Sequence, residues 1–399
     1  MTVTPDSLIA ADHLTLTKED EDEYIVGDPG AGVFFSVPEI GARLIRLFAD
    51  GLTVAEAAAV LEQETGADVD ALDFASDLIA AGVVPAVDGT VTRERRERRS
   101  WLVSRIPARY VRPFFGRVAW TTYGLALAGS IAVFVVEPGL VPTYEDAFFS
   151  QDILLSLIMG NVVTIGLSFV HEIWHAFAGA SFGIPSRFKV NMRAYFPVFE
   201  TDLTGIWTVP PNRRYGPFLA GIAVDSILLF AAVVPRFAWS RGWIEISPTF
   251  VRVLGLVVLA QALKLAFQTL AFMRTDLYLV LLTATGTRNL HQVTMLSLKR
   301  LVRRLSPEED AILAGAHPRD LRAVRWYRLL FVAGLLWLTW FAFYYLWPSA
   351  QVIVGWGWNT LFGGPIGRGW WEALLIAVLA FIDLAFPVVI YLRNRREKR

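Results

Sequence analysis

Residues 153–182 read ILLSLIMGNVVTIGLSFVHEIWHAFAGASF, an apolar stretch long enough to cross the roughly 30 Å core of a bilayer as one helix. It contains the pattern His-Glu-x-x-His at positions 171–175. Because residues four apart share one face of a helix, His171 and His175 can bind the same metal ion, with Glu172 beside them. Two neutral histidines and one carboxylate ligand would leave a fourth position on zinc open for water, as in catalytic zinc sites. The alternative is that the two histidines line a helix bundle and bond to neighbouring residues.

The composition is that of a membrane protein. The chain has 399 residues, of which 54% are hydrophobic and 13% aromatic. It contains no cysteine, which excludes disulfides and thiolate ligands, so a metal must be held by histidines and carboxylates. The formal net charge is zero, yet residues 1–90 carry eighteen acidic residues against three basic ones, so the rest of the chain is basic. This asymmetry predicts two different environments.

Residues 1–90 are predicted to form a small soluble α+β domain, similar in pattern to winged-helix domains. Three short β-type runs precede three helices: the runs are 13–17, 24–26 and 33–35, and the helices begin near Ser36, Thr53 and Val69. Ser36 and Glu39 have the spacing of a capping box at the first helix. Thr53 and Glu56 repeat that spacing at the second helix.

A basic linker at 91–117 leads into six apolar segments. The linker is rich in arginine and aromatic residues, and we favour a segment lying on anionic lipid headgroups over a nucleic-acid patch. Each apolar segment is long enough to span a bilayer as a helix. The segments lie at about 118–136, 153–182, 216–235, 250–273, 329–347 and 371–391.

Charges in the loops predict the orientation of these segments. Residues 137–152 contain four acidic residues and no basic one, whereas residues 183–215 contain five basic residues. By the positive-inside rule both termini are then cytoplasmic, and His171 and His175 lie in the cytoplasmic half of the second span. The chain opens on a polar, acidic stretch, unlike a signal peptide. Arginine also outnumbers lysine, which indicates a GC-rich bacterial genome. We therefore expect a multi-pass protein of a bacterial inner or plasma membrane.

Ionisable residues inside the spans are candidates for function, because burying a charge in lipid is costly. Besides the histidine motif they comprise Asp225, Lys264 and Asp383, in the third, fourth and sixth segments, at about the depth of the histidines. Two interpretations of Asp225 and Lys264 remain open. They form a structural ion pair, or they support the metal site or bind substrate.

The stretch FMRTDLY at 272–278 ends the fourth segment. With the histidine motif two segments earlier, it resembles the core of the site-2 protease family of intramembrane zinc metallopeptidases, over residues 118–290. The second motif of that family is Asn-x-x-Pro-x-x-x-Leu-Asp-Gly, and its Asp is the third zinc ligand. Asp276 takes the Asp position and Gln268 the Asn position, while the proline is absent and a leucine replaces the glycine.

This resemblance implies one zinc ion per chain, held by His171, His175 and Asp276 in preference to Asp225. It implies that Gln268 binds an oxyanion or the substrate backbone.

The resemblance also implies a mechanism and an arrangement of the chain. Glu172 would be the general base that takes a proton from zinc-bound water and returns it to the leaving amine. Residues 187–207 correspond to a membrane-associated hairpin with which an unwound substrate pairs, and the alternative is an interfacial loop with aromatic anchors. Residues 291–328 would be a basic cytoplasmic segment, and residues 329–399 two further membrane helices with a basic tail.

Residues 1–90 resemble a different family, the PqqD-like peptide-binding domains, also called RiPP recognition elements. The stretches that carry this resemblance are YIV at 24–26, SVPE at 36–39, LFADG at 47–51, TVAE at 53–56 and GVV at 82–84. In such domains a leader peptide adds as a strand beside the sheet and against the third helix. Winged domains of similar pattern bind DNA, but the acidic charge here would be repelled by phosphates, so we expect no nucleic-acid partner.

The sequence thus predicts an all-α polytopic membrane protein with a small N-terminal α+β domain. The leading hypothesis is a zinc endopeptidase that cleaves a membrane-associated or ribosomally synthesised peptide, selected in part by residues 1–90. One alternative is a peptide exporter or immunity-type binding protein with a structural zinc site. Another is a catalytically silent scaffold whose acidic domain recruits a partner.

Overall fold

The computed structural model describes residues 3–28, 32–66, 69–91, 106–184, 186–193 and 196–381. The chain forms two compact units, each assembled from separate stretches. The first comprises Met1–Phe115, His175–Lys189 and Thr201–Pro217, and the second comprises Gly116–Trp174, Val190–Glu200 and Phe218–Arg399. The described residues are mostly helical, with a small N-terminal antiparallel sheet, which confirms the predicted fold class at that level.

A three-stranded antiparallel sheet and three helices open the first unit. The strands, in the spatial order β1-β2-β3, are β1 Thr15–Asp20, β2 Glu23–Asp28 and β3 Val33–Pro38. The helices are α1 Glu39–Ala49, α2 Val54–Thr65 and α3 Ala71–Ala80. A second sheet pairs β4 Ala86–Val87 with β5 Thr90–Val91. These positions agree with the runs and helices expected from the pattern of apolar and turn residues.

One apolar core joins the helices to the sheet. Val26, Leu44, Ile45, Leu61 and Leu78 are among its fully buried side chains. Full burial of a side chain of this size contributes about 1.5–3 kcal/mol. The spacing of apolar residues that predicted three amphipathic helices therefore also supplies the core that holds them.

The capping prediction is confirmed for α2 and wrong for α1. The Thr53 hydroxyl accepts from the backbone N–H of Glu56 at 3.3 Å, and the Glu56 carboxylate accepts from the backbone N–H of Thr53 at 2.9 Å. Ser36 instead pairs with Ile25 inside the sheet and donates its hydroxyl to Glu23. Because the strand holds Ser36 extended, α1 begins after Pro38 without a side-chain cap.

Five helical segments among the described residues are long and apolar enough to cross a membrane, which supports a multi-pass membrane protein. A short helix, α4 Ala108–Val111, precedes them. The five are α5 Arg117–Val136, α6 Ile153–Ser181, α7 Pro211–Ser240, α8 Pro248–Gln268 and the run Pro318–Gly363. Strands β6 Arg187–Arg193 and β7 Phe196–Asp202 form a two-stranded sheet in the sequence between α6 and α7.

Shorter helices connect α8 to the last run. They are α9 Asp276–Thr285, α10 Leu290–Val302 and α11 Pro307–Ala314. The run itself consists of α12 Pro318–Phe341, a π-helical turn Ala342–Leu346 and α13 Trp347–Gly363.

Several predicted boundaries differ in the structure, among them those of the fourth, fifth and sixth segments. Helix α8 ends at Gln268, five residues before the predicted end of the fourth segment, because a 3-10 turn at Ala271–Met273 follows. The fifth segment is longer than predicted, since the chain stays helical through Gly363. The sixth is helical from residue 368 to 381, while Asp383 and most of the basic linker lie outside the described residues.

Candidate metal centre

The two histidines of the His-Glu-x-x-His pattern lie one turn apart in the C-terminal half of α6. Both are buried, with 5% of His171 and 6% of His175 exposed. A ligand atom from each, together with a carboxylate oxygen of Asp276, forms a group whose atoms all lie within 4.8 Å of one another. Residues about one hundred positions apart in the sequence are thus brought together as expected for one metal site.

Helix α7 presents three residues, spaced four apart, towards the histidines. The Nδ1 of His175 lies 2.9 Å from the carbonyl oxygen of Pro217. Since a carbonyl only accepts, this contact places the proton of a neutral His175 on Nδ1 and leaves the lone pair on Nε2. Gly221 lies against the ring of His171, where an added Cβ would be 2.2 Å from Cε1. No larger residue fits at that position without a shift of the ring or the helix.

Asp225, the third of these α7 residues, is fully buried and contacts His171 directly. Its Oδ2 lies 2.6 Å from Nδ1 of His171. Its other oxygen, Oδ1, lies 2.9 Å from Nζ of Lys264 in an ion pair. Lys264 also donates a 2.8 Å hydrogen bond to the carbonyl of Leu167, one turn before His171. The acid and the lysine therefore form an ion pair and also belong to the surroundings of the histidine.

Asp276 reaches the site because a tight turn separates α8 from α9. Arg274 adopts a left-handed conformation, with φ 58°, which is uncommon for a residue with a side chain. The Thr275 hydroxyl donates to the carbonyl of Gln268 at 2.8 Å. The Gln268 side-chain oxygen accepts from the backbone N–H of Asp276 at 3.1 Å. Gln268 thus holds the turn that presents the aspartate, and its binding of an oxyanion or of the substrate backbone stays a prediction.

The residues present could hold a metal ion. Two imidazoles and one carboxylate are a ligand set that is common in zinc sites. Both histidines are buried, and the Asp276 side chain is 18% exposed. The Nε2 of His171 lies 3.1 Å from Oδ2 of Asp276. This is a hydrogen-bond distance, and it places both atoms beside the position that a shared metal ion would occupy.

The position of Asp225 distinguishes it from Asp276. His171 faces Asp225 with Nδ1 and Asp276 with Nε2, so the two acids lie at opposite nitrogens of one ring. Of the two acids, Asp276 is the one that forms a group with ligand atoms of both His171 and His175. The geometry therefore favours Asp276 over Asp225 as a third ligand. Glu172 is half-buried and lies between the two histidines in the α6 sequence.

Two residues of this centre were missed by the sequence reasoning, Pro217 and Gly221. With Asp225 they form the spacing Pro-x-x-x-Gly-x-x-x-Asp, which places all three on one face of a helix. That spacing was visible in the sequence, but its meaning depends on the facing helix, which sequence alone does not supply. The segment 187–207, interpreted as a hairpin or an interfacial loop, contains the strands β6 and β7.

Comparisons with known proteins find no match for this chain, whether with protein-family models, with curated proteins or with solved structures. The functional argument therefore rests on the residues of the site and on their surroundings in the fold.

Proposed function

We propose that this protein is a membrane-embedded zinc endopeptidase that cleaves a membrane-associated or ribosomally made peptide. One observation carries the proposal. The His171, His175 and Asp276 ligand atoms gather within 4.8 Å, and the histidines belong to a His-Glu-x-x-His pattern on an apolar helix. A buried structural zinc site needs no carboxylate between its histidines, whereas a hydrolytic site needs a base at that position.

The residues divide the work of peptide hydrolysis between them. His171, His175 and Asp276 would hold the metal and leave a position open. Zinc, when bound, supplies Lewis acidity that polarises a water molecule and the scissile carbonyl. Glu172 accepts one proton from the attacking water as the oxygen bonds to the carbonyl carbon. It then donates that proton to the amide nitrogen as the carbon–nitrogen bond breaks, which yields an acid and an amine.

The N-terminal domain is the proposed peptide-selecting part. Its sheet ends in β1 on one side and β3 on the other. The 3-10 turn Thr204–Thr208 packs against β1 and β2, and Thr17 of β1 donates to the carbonyl of Thr208 at 2.9 Å. Among the described residues no strand pairs with the outer edge of β3. That edge is the one on which a leader peptide would add a strand.

The test is Glu172→Gln in the full-length protein in detergent. Gln keeps the size of the side chain but cannot carry the proton. We expect zinc content, measured by mass spectrometry, to equal that of the wild type, and cleavage to fall by at least about 100-fold. Peptides that co-purify with the variant, identified by mass spectrometry and then synthesised, serve as the substrates. Glu145→Gln, an exposed glutamate in the same unit, is the matched control and should cleave normally.

Two outcomes would reject this function. A wild-type protein that neither contains nor takes up zinc has no such active site. A Glu172→Gln variant with full turnover, combined with loss of folding in His171→Ala, would instead indicate a structural zinc site in an exporter or binding protein.

A further inference from the structure

Asp225 and Lys264 make a connected set of contacts that ends on a candidate metal ligand. All the residues concerned belong to the second compact unit. Asp225 is 0% exposed, and its two oxygens are divided between Nδ1 of His171 at 2.6 Å and Nζ of Lys264 at 2.9 Å. If Asp225 served only to neutralise Lys264, its second oxygen would not need to bond to His171.

We propose that Asp225, held by Lys264, is a positioning residue that fixes the ring of His171 so that its Nε2 faces the metal position. The inference rests on the metal centre of the proposed function and adds two residues to it. An imidazole that donates Nδ1–H to an acceptor keeps its lone pair on Nε2 and cannot rotate freely. Partners of this kind around metal-binding histidines typically change metal affinity by 10–100-fold when removed.

The two histidines are held in different ways. His175 meets a neutral backbone carbonyl, that of Pro217, whereas His171 meets a carboxylate. A carboxylate is the stronger acceptor and orients the ring more firmly. Gly221, on the same face of α7 as Asp225, lets the ring lie directly against that helix. We therefore expect metal binding to depend on Asp225 more than on any single contact of His175.

The ion pair with Lys264 explains how the Asp225 carboxylate is tolerated inside a candidate membrane helix. A lone buried charge is expensive, and the ion pair with Lys264 removes most of that cost. Lys264 also donates to the carbonyl of Leu167, which in an α-helix faces the backbone N–H of His171. The lysine therefore ties Asp225 to the same turn of α6 that carries the ligand.

The alternative is that the pair is structural only. A buried ion pair can often be replaced by apolar residues of similar size without loss of stability. If the pair only neutralises itself, Asp225→Leu combined with Lys264→Met should fold normally and bind zinc as tightly as the wild type. If Asp225 positions His171, the same double variant should fold normally but bind zinc poorly.

The experiment measures zinc affinity by competition with a chelator of known affinity, using full-length protein in detergent. The absorption spectrum of Co²⁺ in the same site reports the ligand geometry. For Asp225→Leu/Lys264→Met we expect a 10–100-fold increase in the zinc Kd and an altered Co²⁺ spectrum, with metal-free thermal unfolding near that of the wild type. Asp225→Asn/Lys264→Met, which keeps an acceptor oxygen for Nδ1–H, should recover much of the loss.

A second ion pair of the same unit is the matched control. Arg236, also on α7, lies 3.1 Å from Asp146, and Asp146→Asn/Arg236→Met should leave zinc affinity unchanged. If Asp225→Leu/Lys264→Met does not fold, Asp225→Ser/Lys264→Met replaces it. A serine there can bond to its own helix, as Ser226 does to the carbonyl of Ile222 at 2.8 Å, but is too short to hold the ring. It should show the same loss.

Zinc affinity within twofold of the wild type in the folded apolar or serine variant would overturn the positioning role. This result is distinct from failure of the proposed function. If the wild-type protein binds zinc but cuts no peptide, the proposed peptidase function is rejected while the role of Asp225 stands. If the wild-type protein takes up no zinc, both the peptidase function and the role of Asp225 are rejected.

Discussion

Gly221 leaves no room for a side chain in the candidate centre. A Cβ added there would lie 2.2 Å from Cε1, 2.3 Å from Nε2 and 2.6 Å from Nδ1 of His171, all far below van der Waals contact. The ring is also held by Asp225, so it cannot simply turn away. The clash must therefore move either the ligand or the helix.

We predict that Gly221→Ala lowers zinc affinity at least tenfold and destabilises the protein by about 1–3 kcal/mol, the usual cost of overpacking. Zinc competition and thermal unfolding of the full-length protein measure the two effects. Gly166→Ala is the control, because Gly166 lies on α6 with no atom near its Cβ position. Equal behaviour of the two alanine variants would show that the ring of His171 does not need its observed position.

Single residues also show where sequence reasoning reaches its limit. The motif at 171–175 and Asp276 were selected from spacing and from the family resemblance, and their ligand atoms lie together. Asp225 and Lys264 were selected because charges are rare in membrane spans, yet two interpretations stayed open. Only distances decide that Asp225 contacts both His171 and Lys264. Glycine and proline are common in membrane helices, so nothing in the sequence singled out Gly221.

At the scale of single elements, the same local signal held at one helix start and failed at another. The capping box formed by Thr53 and Glu56, three residues apart, is present at the start of α2. The same spacing failed at Ser36, because pairing with Ile25 in the sheet outweighs a local cap. Apolar runs located the membrane helices, but their ends depend on turns such as that at Arg274, whose left-handed backbone follows no simple residue rule.

Helix α2 carries a pH-dependent cap. Hydrogen bonds from the Thr53 backbone and side chain lower the pKa of Glu56 from its usual value. Because the folded-state pKa is below the unfolded value of 4.5, the contribution of Glu56 to stability is fully present above pH 4.5. It is lost as the pH falls through the lower, folded-state value.

We predict that amide protection in the first turn of α2 falls in the full-length protein as the pH drops below 4.5. In Glu56→Gln, protection there should be weaker at neutral pH and should vary less with pH. Hydrogen exchange followed by mass spectrometry measures both. Glu62→Gln removes a charge from the same helix away from the cap and should behave as the wild type. A Glu56→Gln profile that matches the wild type at every pH would show that the cap does not titrate.

At the scale of the whole molecule, one buried arginine ties the N-terminal sheet to a segment nearly 200 positions later in the first compact unit. Arg214, at the start of α7, is 0% exposed. It forms two hydrogen bonds to Glu19 of β1, at 2.8 and 2.6 Å, and donates to the carbonyls of Val209 and Trp207. Its guanidinium also lies over the Trp207 ring, 4.9 Å from the centroid. These contacts fix the edge strand β1 against the turn before α7.

We predict that Arg214→Ala loosens β1 by about 3 kcal/mol, the low end for breaking a buried ion pair because the Glu19 side chain is 23% exposed. Arg214→Lys keeps the charge but loses the paired geometry, so its effect should be intermediate. Faster amide exchange in β1 and earlier proteolysis within the N-terminal domain of the full-length protein measure the change. Arg43→Ala is the matched control, since Arg43 makes a similar two-bond contact with Glu64 on the exposed surface, where ion pairs contribute little. If both alanine variants exchange alike, Arg214 does not hold β1 in place.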